Sequence, residues 1–270
     1  MRRRRFRVDG IEVGQEEVLL SGQTARHLTT VLRMRQGEEL VIVDGVGHEW
    51  VAEITSLASS GVRVKLLAQT GISNESALDV TLALAFSRSE KMDQVVRQAT
   101  ELGATRVIGF RAARSQYGLG PTDSRKKRER WQKIAREALC QCRRQREPEC
   151  EILSDIDQLL TWTDRWTVSA DGALKILAAE GEARKSLLDL QRRSPSCMNF
   201  LAVVGPEGGW TAEEAHRFDD NGFEGVRLGP RILRLETAAT AMLASIQLLW
   251  GDLGVPGREA VPEDPPGERR

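Results

Sequence analysis

The chain has 270 residues, of which 40% are hydrophobic, and its 39 Lys and Arg balance 39 Asp and Glu. This length fits two domains that bury their cores without disulfides, and the zero net charge argues against indiscriminate binding to polyanions. No apolar run approaches the ~20 residues of a membrane-spanning helix, and the arginine-rich start lacks the apolar segment of a signal peptide. We therefore expect a cytoplasmic protein that does not contact membranes.

The first seventy residues predict a small β-domain with one short helix. Val41–Val43 and Trp50–Ile54 flank the turn Asp44–Gly47, which is a hairpin signal. Gly61–Leu67 alternates apolar and basic side chains, as a half-buried strand does. Residues 21–33 carry apolar side chains at helical spacing, so we expect one helix among these strands.

From Leu78 onwards the pattern changes to alternating strands and helices, which is typical of a mostly parallel sheet. The predicted strands are Leu78–Phe86, Arg106–Phe110, Trp166–Ser169, Phe200–Val204 and Val226–Leu228. The predicted helices are one that begins at the capping box Ser87-x-x-Glu90 and ends at Gly103, then Asp123–Arg144, one that begins at Thr211-x-x-Glu214, and Ala238–Trp250. Gly251–Arg270 holds four of the nine prolines, and this composition predicts a disordered tail.

Basic side chains are concentrated in one segment. Residues 111–147 contain twelve Arg or Lys and four acids, a net charge of +8, and Arg2–Arg5 adds four more cations. Such a concentration on a neutral chain favours a face that binds phosphates. The same charge run also fits the solvated face of an ordinary helix.

The four cysteines are interpreted as reduced thiols. Cys140, Cys142 and Cys150 lack the paired spacing of a structural zinc site and have no nearby histidine. We therefore expect no metal.

Two glycine-containing segments each follow a short apolar run and lead into a helix. The first is Gly205–Gly209, directly after the strand that ends at Val204, and its glycines permit close approach of the backbone to a ligand. It matches neither the dinucleotide-binding nor the P-loop motif. The second, Leu228–Ala239, places Arg234 and Glu236 beside an apolar pair. The alternative to a ligand site is a plain strand-to-helix turn at Gly205–Gly209, and an ordinary surface pair for Arg234 and Glu236.

Other catalytic patterns are missing from the sequence. It contains no G-x-S-x-G and no H-E-x-x-H, and it has three histidines, which is a poor supply for a Ser–His or Cys–His mechanism. The pattern favours an enzyme that works by positioning its reactants.

The chain resembles the ribosomal small subunit methyltransferase E family over about residues 1–254. This family belongs to the SPOUT class of RNA methyltransferases, which use S-adenosylmethionine (AdoMet). The matching segments are Arg26–Arg33, Ser89–Met92, Gln98–Gly103, Arg114–Ser115, Trp131–Ala135, Arg144–Pro148, Gly205–Gly209 and Leu228–Ala238. Any one of them alone is weak, but their order across two domains is specific.

The resemblance implies a PUA-like β-barrel that binds RNA over residues 1–72, and an α/β SPOUT domain with a parallel sheet and a trefoil knot over residues 73–254. The disordered tail then covers residues 255–270. It further implies a homodimer formed through the knotted domain. The implied reaction is methyl transfer from AdoMet to N3 of a specific uridine in 16S rRNA, in the free RNA or the assembled small ribosomal subunit.

The same resemblance assigns candidate residues to each role. The AdoMet site comprises Val204, Gly205, Pro206, Glu207, Gly208, Gly209, Leu228, Gly229, Ile232, Leu233 and Arg234. Arg234 would stabilise the uridine anion, and Glu236 would orient Arg234 or take the proton. The RNA contacts would be Arg5, His27, Arg33, Arg88, Arg114 and Arg144, with Arg114 or Arg144 reaching the site of the partner subunit.

Three positions depart from the family pattern. Ala113 replaces a frequent acid, Arg143 replaces a usual glycine, and Leu235 replaces a usual threonine. We expect Leu235 to remove a hydroxyl close to the cofactor. The alternative functions are methylation of a different RNA by the same fold and RNA binding by a non-catalytic dimer.

Overall fold

The chain divides into two units, one within residues 1–73 and the other formed by Asn74–Leu253. The computed structural model describes residues 3–12, 14–71, 73–115, 121–169, 172–179 and 185–255. The predicted disordered tail, residues 255–270, lies outside the described residues except for Val255.

A five-stranded sheet forms the first unit. Its strands are β1 (Arg5–Arg7), β2 (Glu17–Leu20), β3 (Glu39–Val43), β4 (Glu49–Ala58) and β5 (Gly61–Gln69), in the order β1-β3-β4-β5-β2. The pair β1–β3 is parallel, and the other pairs are antiparallel. Helix α1 (Gly22–Arg26) continues directly into a π-helical turn, His27–Val31.

The alternation predicted for this sheet is confirmed. Val62 and Val64 are buried while Arg63 and Lys65 are exposed, because successive side chains of a strand point to opposite faces. Register shifts in the β4–β5 pair mark bulges, which bend a strand. Leu28 of the π-helical turn joins the core beneath the sheet.

The second unit is a six-stranded parallel sheet with helices on both faces, which confirms the predicted α/β class. The strands are β6 (Asp79–Ala85), β7 (Arg106–Phe110), β8 (Glu149–Ile152), β9 (Leu174–Ala178), β10 (Asn199–Val204) and β11 (Glu224–Val226), in the order β11-β9-β10-β6-β7-β8. The helices are α2 (Ser89–Glu101), α3 (Pro121–Cys142), α4 (Ile156–Ser169), α5 (Leu187–Arg193), α6 (Ala212–Asp220) and α7 (Leu235–Leu249).

The two faces of this sheet carry separate cores. Helices α2, α3 and α7 pack on one face, where Leu82 and Leu84 of β6 are fully buried. Helices α4 and α6 cover the other face, where Ala83 and Ala85 of the same strand are buried. A strand covered on both sides reads as a continuous apolar run, and this explains the pattern of residues 78–86.

Three predictions of secondary structure were wrong. Trp166–Ser169 is the last turn of α4, where Trp166 stacks on Trp162 one turn earlier with ring centroids 6.1 Å apart. Ser87 does not cap α2, because the N-cap position is Arg88. Helix α7 begins at Leu235, three residues earlier than predicted.

Candidate functional site

The direction of chain progression across the sheet reverses between β6 and β10. From β6 the chain moves to β7 and β8 on one side, while β9, β10 and β11 lie on the other. In open parallel sheets, ligands bind outside the carboxyl ends of the strands at such a switch point. Gly205–Gly209 follows β10 at this edge, and Ser87 lies just beyond β6.

The segment Gly205–Gly209, called the glycine loop below, begins in contact with the ring of Trp210. A Cβ at Gly205 would lie 2.8 Å from Cε2 of Trp210, so only glycine fits there. The Trp210 ring stacks on Phe110, with centroids 6.3 Å apart and planes 7° apart, and its Nε1 donates a hydrogen bond of 3.0 Å to the Ala178 carbonyl. The neighbours Val204 and Pro206 are buried.

Arg114 holds the glycine loop from the side of β7. Its Nη1 donates to the carbonyls of Gly208 at 3.0 Å and Trp210 at 3.4 Å. A Cβ at Gly208 would lie 3.1 Å from Cβ of Arg114, so this glycine permits the close contact. The exposed Arg114 is therefore a clamp on the loop within its own chain.

Glu214 connects the same two segments. The predicted capping box is confirmed, since Thr211 and Glu214 exchange side-chain and backbone hydrogen bonds at the start of α6. The other oxygen, Oε1, accepts a 2.6 Å hydrogen bond from the backbone N–H of Ala113. The link to residue 113 uses the backbone, so it does not depend on the acid that often stands at this position in the family.

The second glycine-containing segment follows β11. Leu228 and Leu233 are half-buried, while Ile232 has 83% of its surface exposed. Arg234 is exposed and is the N-cap residue of α7. Among the described residues, no hydrogen bond or ion pair engages its guanidinium or joins it to Glu236.

Glu236 and Lys91 complete the site. The Glu236 side chain is 15% exposed, and its Oε2 is buried without a hydrogen-bond partner in the described part of the chain. Lys91 Nζ lies 3.9 Å from this oxygen and forms an ion pair with Glu207 of the glycine loop. The hydrogen bond from Lys91 is the largest cause that holds the pKa of Glu207 below its usual value. Lys91 was assigned no role from the sequence, although it lies in the family-like segment Ser89–Met92, which was the available signal.

These residues fit a cofactor bound against the backbone. Gly209 and Gly229 have φ angles of +67° and +85°, and a Cβ at either would meet nothing within 4 Å. The backbone is therefore open to approach at both loops. The buried Glu236 Oε2 supplies an acceptor without a hydrogen-bond donor among the described residues, 3.9 Å from the Lys91 ammonium.

Comparison with known proteins gives this arrangement a family. Residues 74–247 match the model of an RNA methyltransferase domain, and residues 20–67 match that of an RNA methyltransferase PUA domain. A ribosomal RNA small subunit methyltransferase E from Bacillus subtilis is 32% identical over 240 residues, which cover 86% of this chain and 92% of the relative. The chain belongs to the ribosomal RNA small subunit methyltransferase E family.

Solved structures agree with this assignment. A methyltransferase E from Neisseria gonorrhoeae, bound to S-adenosylmethionine, is 32% identical, with a TM-score of 0.80 over 93% of this chain and 99% of that one. A Legionella pneumophila protein, solved with the same bound cofactor, is 30% identical. Its TM-score is 0.83 over 94% of this chain and 100% of that one.

Two departures from the methyltransferase E pattern have structural explanations. Leu235 is 3% exposed and packs in the core on the α7 face of the sheet, so our expectation that it removes a hydroxyl beside the cofactor is wrong. Arg143 has a φ of +66° just after α3. Glycine adopts this left-handed conformation without steric cost, which explains the usual residue at this position.

One residue predicted to bind RNA is buried. Arg144 is 4% exposed, pairs with Glu75 at 2.8 Å, and donates to the carbonyls of Thr100 and Ala104 at 2.8 Å each. Since a buried arginine inside its own fold cannot contact RNA phosphates, the predicted role is wrong. Arg144 instead fixes the turn after α2.

The remaining RNA-binding candidates differ in exposure. Arg5 pairs with Glu49, and its side chain is only 11% exposed. Arg33 and Arg88 are exposed. His27 is exposed, lies edge-on to Phe6 with centroids 6.0 Å apart, and helps line a surface cavity of about 560 Å³.

The described residues form neither a membrane-spanning helix nor a metal cluster. None of the described helices is long and apolar enough to span a membrane. In the described ranges, no group of three or more His, Cys, Asp or Glu is placed to hold a metal ion. All four cysteines are free, and burial raises the pKa of Cys150 to about 12.

Proposed function

We propose that this protein transfers a methyl group from AdoMet to N3 of a specific uridine in 16S rRNA of the small ribosomal subunit. The observation that carries the proposal is that Lys91 reaches one carboxylate on each glycine-containing segment, Glu207 after β10 and Glu236 at the start of α7. The relatives solved with bound S-adenosylmethionine support this assignment of the cofactor.

The proposal includes the setting of the reaction. The enzyme acts in the cytoplasm as a homodimer formed through a trefoil-knotted domain over residues 73–254. The PUA-like domain, residues 1–72, helps to hold the RNA. The family resemblance supports these features, and the substrate is either 16S rRNA or the assembled subunit.

The residues of the chain divide the chemical work. AdoMet, when bound against the two glycine loops, supplies a methyl group that is already activated by its sulfonium. Arg234 stabilises negative charge on the uracil ring as N3 loses its proton, because a cation placed where negative charge develops lowers the energy of the anion. Glu236 either accepts a hydrogen bond from the bound ligand at Oε2 or takes up the proton that N3 loses.

The RNA must present its uridine to this site. A base inside a folded helix is hard to reach, so the target nucleotide is extruded from its stack. His27, Arg33 and Arg88 then contact RNA outside the reacting base, mainly through phosphate and shape.

Methyl transfer to small ribosomal subunits that lack the modification tests the proposal. Purified protein is incubated with tritiated AdoMet and these subunits, and the product is digested to nucleosides. We expect N3-methyluridine at one position of 16S rRNA. Arg234→Ala is expected to lose transfer at saturating AdoMet, whereas the matched control Arg231→Ala, three residues away and also exposed, keeps it.

Each other outcome identifies a different function. Label in another nucleoside or another RNA would point to a methyltransferase with a different target. RNA binding without any transfer would favour a non-catalytic RNA-binding dimer. Full activity of the Arg234→Ala variant would remove the anion-stabilising role and leave the reaction itself intact.

A further inference from the structure

Lys91 lies at the centre of the candidate site, although the proposed reaction gives it no role. It stands in the first turn of α2, just beyond β6. Its ammonium forms an ion pair with Glu207 and lies 3.9 Å from Glu236 Oε2. Glu207 belongs to the loop after β10, and Glu236 belongs to the first turn of α7. One side chain therefore connects the two segments that border the cofactor site.

The Lys91–Glu207 pair is too exposed to matter much for folding. The two side chains are 26% and 30% exposed, and ion pairs in contact with water contribute little to stability. The ion pair acts on the conformation of the glycine loop instead, because Gly205–Gly209 has few side chains that could hold its backbone in place. Ser87 adds a weaker contact, with its Oγ 3.5 Å from the same Glu207 oxygen.

Glu236 provides the second observation. Its Oε2 is buried and accepts no hydrogen bond from the described residues. A buried carboxylate oxygen in this state is costly unless a cation stands near it or a ligand donates to it. Lys91 is close enough to act as that cation but too far away to donate a hydrogen bond, so Glu236 Oε2 keeps an unused acceptor next to the Lys91 ion pair.

We propose that Lys91 is a positioning residue that sets the affinity for the cofactor. Its ammonium holds the glycine loop through Glu207 at a fixed place beside the first turn of α7. Preorganising a loop in its bound geometry raises affinity because less order has to be created on binding. This inference rests on the proposed function, since it assumes that the cofactor binds between these two segments.

Calorimetric titration with AdoMet, together with steady-state kinetics, tests this role. The variants are Lys91→Met, Glu207→Gln, their double mutant and Lys91→Arg. The control is Arg97→Met, which removes an exposed cation from the same helix. We expect Lys91→Met to raise Kd and KM for AdoMet roughly tenfold, or about 1.4 kcal/mol, while kcat changes far less.

The pattern across variants separates positioning from folding. Glu207→Gln should match Lys91→Met, and the double mutant should be no worse than either, because all three remove one interaction. Lys91→Arg should restore most of the affinity, and Arg97→Met should bind AdoMet as the wild type does. Tm should hardly move for Glu207→Gln, whereas Lys91→Met should lower it slightly because the buried Glu236 carboxylate loses its nearby cation.

Three outcomes would overturn the inference. The first is a Lys91→Met variant with unchanged Kd, and the second is a double mutant whose losses add. The third is a fall in binding stoichiometry and Tm at constant Kd, which would mean that Lys91 supports folding. A wild-type protein that does not bind AdoMet would instead overturn the proposed cofactor site, and this inference with it.

Discussion

Arg143 shows how one backbone angle explains a departure from a family pattern. It follows the last residue of α3 with a φ of +66°, and its carbonyl accepts a 3.2 Å hydrogen bond from Asn74 Nδ2. The left-handed conformation costs an L-residue about 1–2 kcal/mol, and glycine avoids this cost. The glycine that is usual in the family therefore serves the backbone at this position.

We expect Arg143→Gly to raise the free energy of unfolding by roughly 1 kcal/mol. Urea titration followed by circular dichroism would measure the change. Arg143→Ala is the matched control, since it removes the same side chain but keeps the strained angle. Equal stabilisation by both variants would show that the side chain, rather than the backbone, carries the cost.

Leu235 leads to a second prediction at the residue scale. Because it is 3% exposed in the core, Leu235→Thr should lower the free energy of unfolding by roughly 2 kcal/mol or more through lost packing and a buried hydroxyl. AdoMet affinity should not improve. Leu248→Thr, at a position 59% exposed on the same helix, should be nearly neutral. Tighter AdoMet binding by Leu235→Thr would contradict the assignment of this side chain to the core.

Asp44 makes the stability of the first hairpin depend on pH. Its Oδ1 accepts hydrogen bonds from the backbone N–H groups of Val46, Gly47 and His48. Burial alone would raise the pKa of Asp44, but the hydrogen bonds from His48 and Val46 outweigh it and hold the pKa below the ordinary 3.8. Because the folded pKa is depressed, this stability is present above 3.8 and is lost as the pH falls through the folded value.

Asp44→Asn should therefore cost about 1–3 kcal/mol of unfolding free energy at neutral pH. The difference from wild type should shrink as the pH falls below 3.8. Urea titrations at several pH values would measure it, with Glu16→Gln, an exposed acid of the same unit, as the control. A difference that stays constant with pH would mean that the charge of Asp44 is not what stabilises the turn.

At the scale of elements, the sequence predicted those whose periodicity is strong. The run Leu78–Phe86 and the stripe of α2 were recognised because burial on one or both faces leaves a regular pattern. Strand β9 was missed because Lys175 interrupts a five-residue apolar run, although its Nζ reaches the Asn221 carbonyl at 2.5 Å while its stem stays in the sheet. Strand β8 was missed because Glu149 and Glu151 flank Cys150 in an edge strand.

The site could be predicted only in part, and for a related reason. The two glycine segments are local in sequence, so motif and turn chemistry identify them. Lys91 is distant in sequence from both Glu207 and Glu236, and only the parallel packing of β6 beside β10 brings them together. The prediction that Arg144 binds RNA was wrong because a run of basic residues does not reveal which side chain faces the interior.

At the scale of the whole molecule, the structure sorts the basic residues into paired and unpaired groups. Arg3, Arg5 and Arg7 have ion-pair partners in Glu39, Glu49 and Asp9. On α3, Arg130 and Arg136 are also paired, with Asp93 and Glu147. The helix nevertheless keeps Lys126, Arg128 and Lys133 exposed, so we expect α3 to contribute more to RNA affinity than residues 3–7.

We therefore expect the Lys126→Ala/Arg128→Ala double variant to flatten the salt dependence of RNA binding. Each lost phosphate contact lowers the slope of log K against log salt by about 0.7–0.9, so two contacts remove roughly 1.5. Fluorescence anisotropy with 16S rRNA fragments would measure the slope. Arg165→Ala/Arg192→Ala removes two other exposed cations and should leave it unchanged. A shift of equal size in both variants would show a general effect of net charge.

The order of strands in the second unit has a consequence for the folding of the chain during its synthesis on the ribosome. Strand β10 pairs with both β9 and β6, yet a ribosome synthesises it after both of them. Until residues 199–204 emerge, β6 and β9 each present an open edge, and unpaired edges invite association with other chains. A nascent chain of this protein thus needs protection from such contacts until most of its length has been translated.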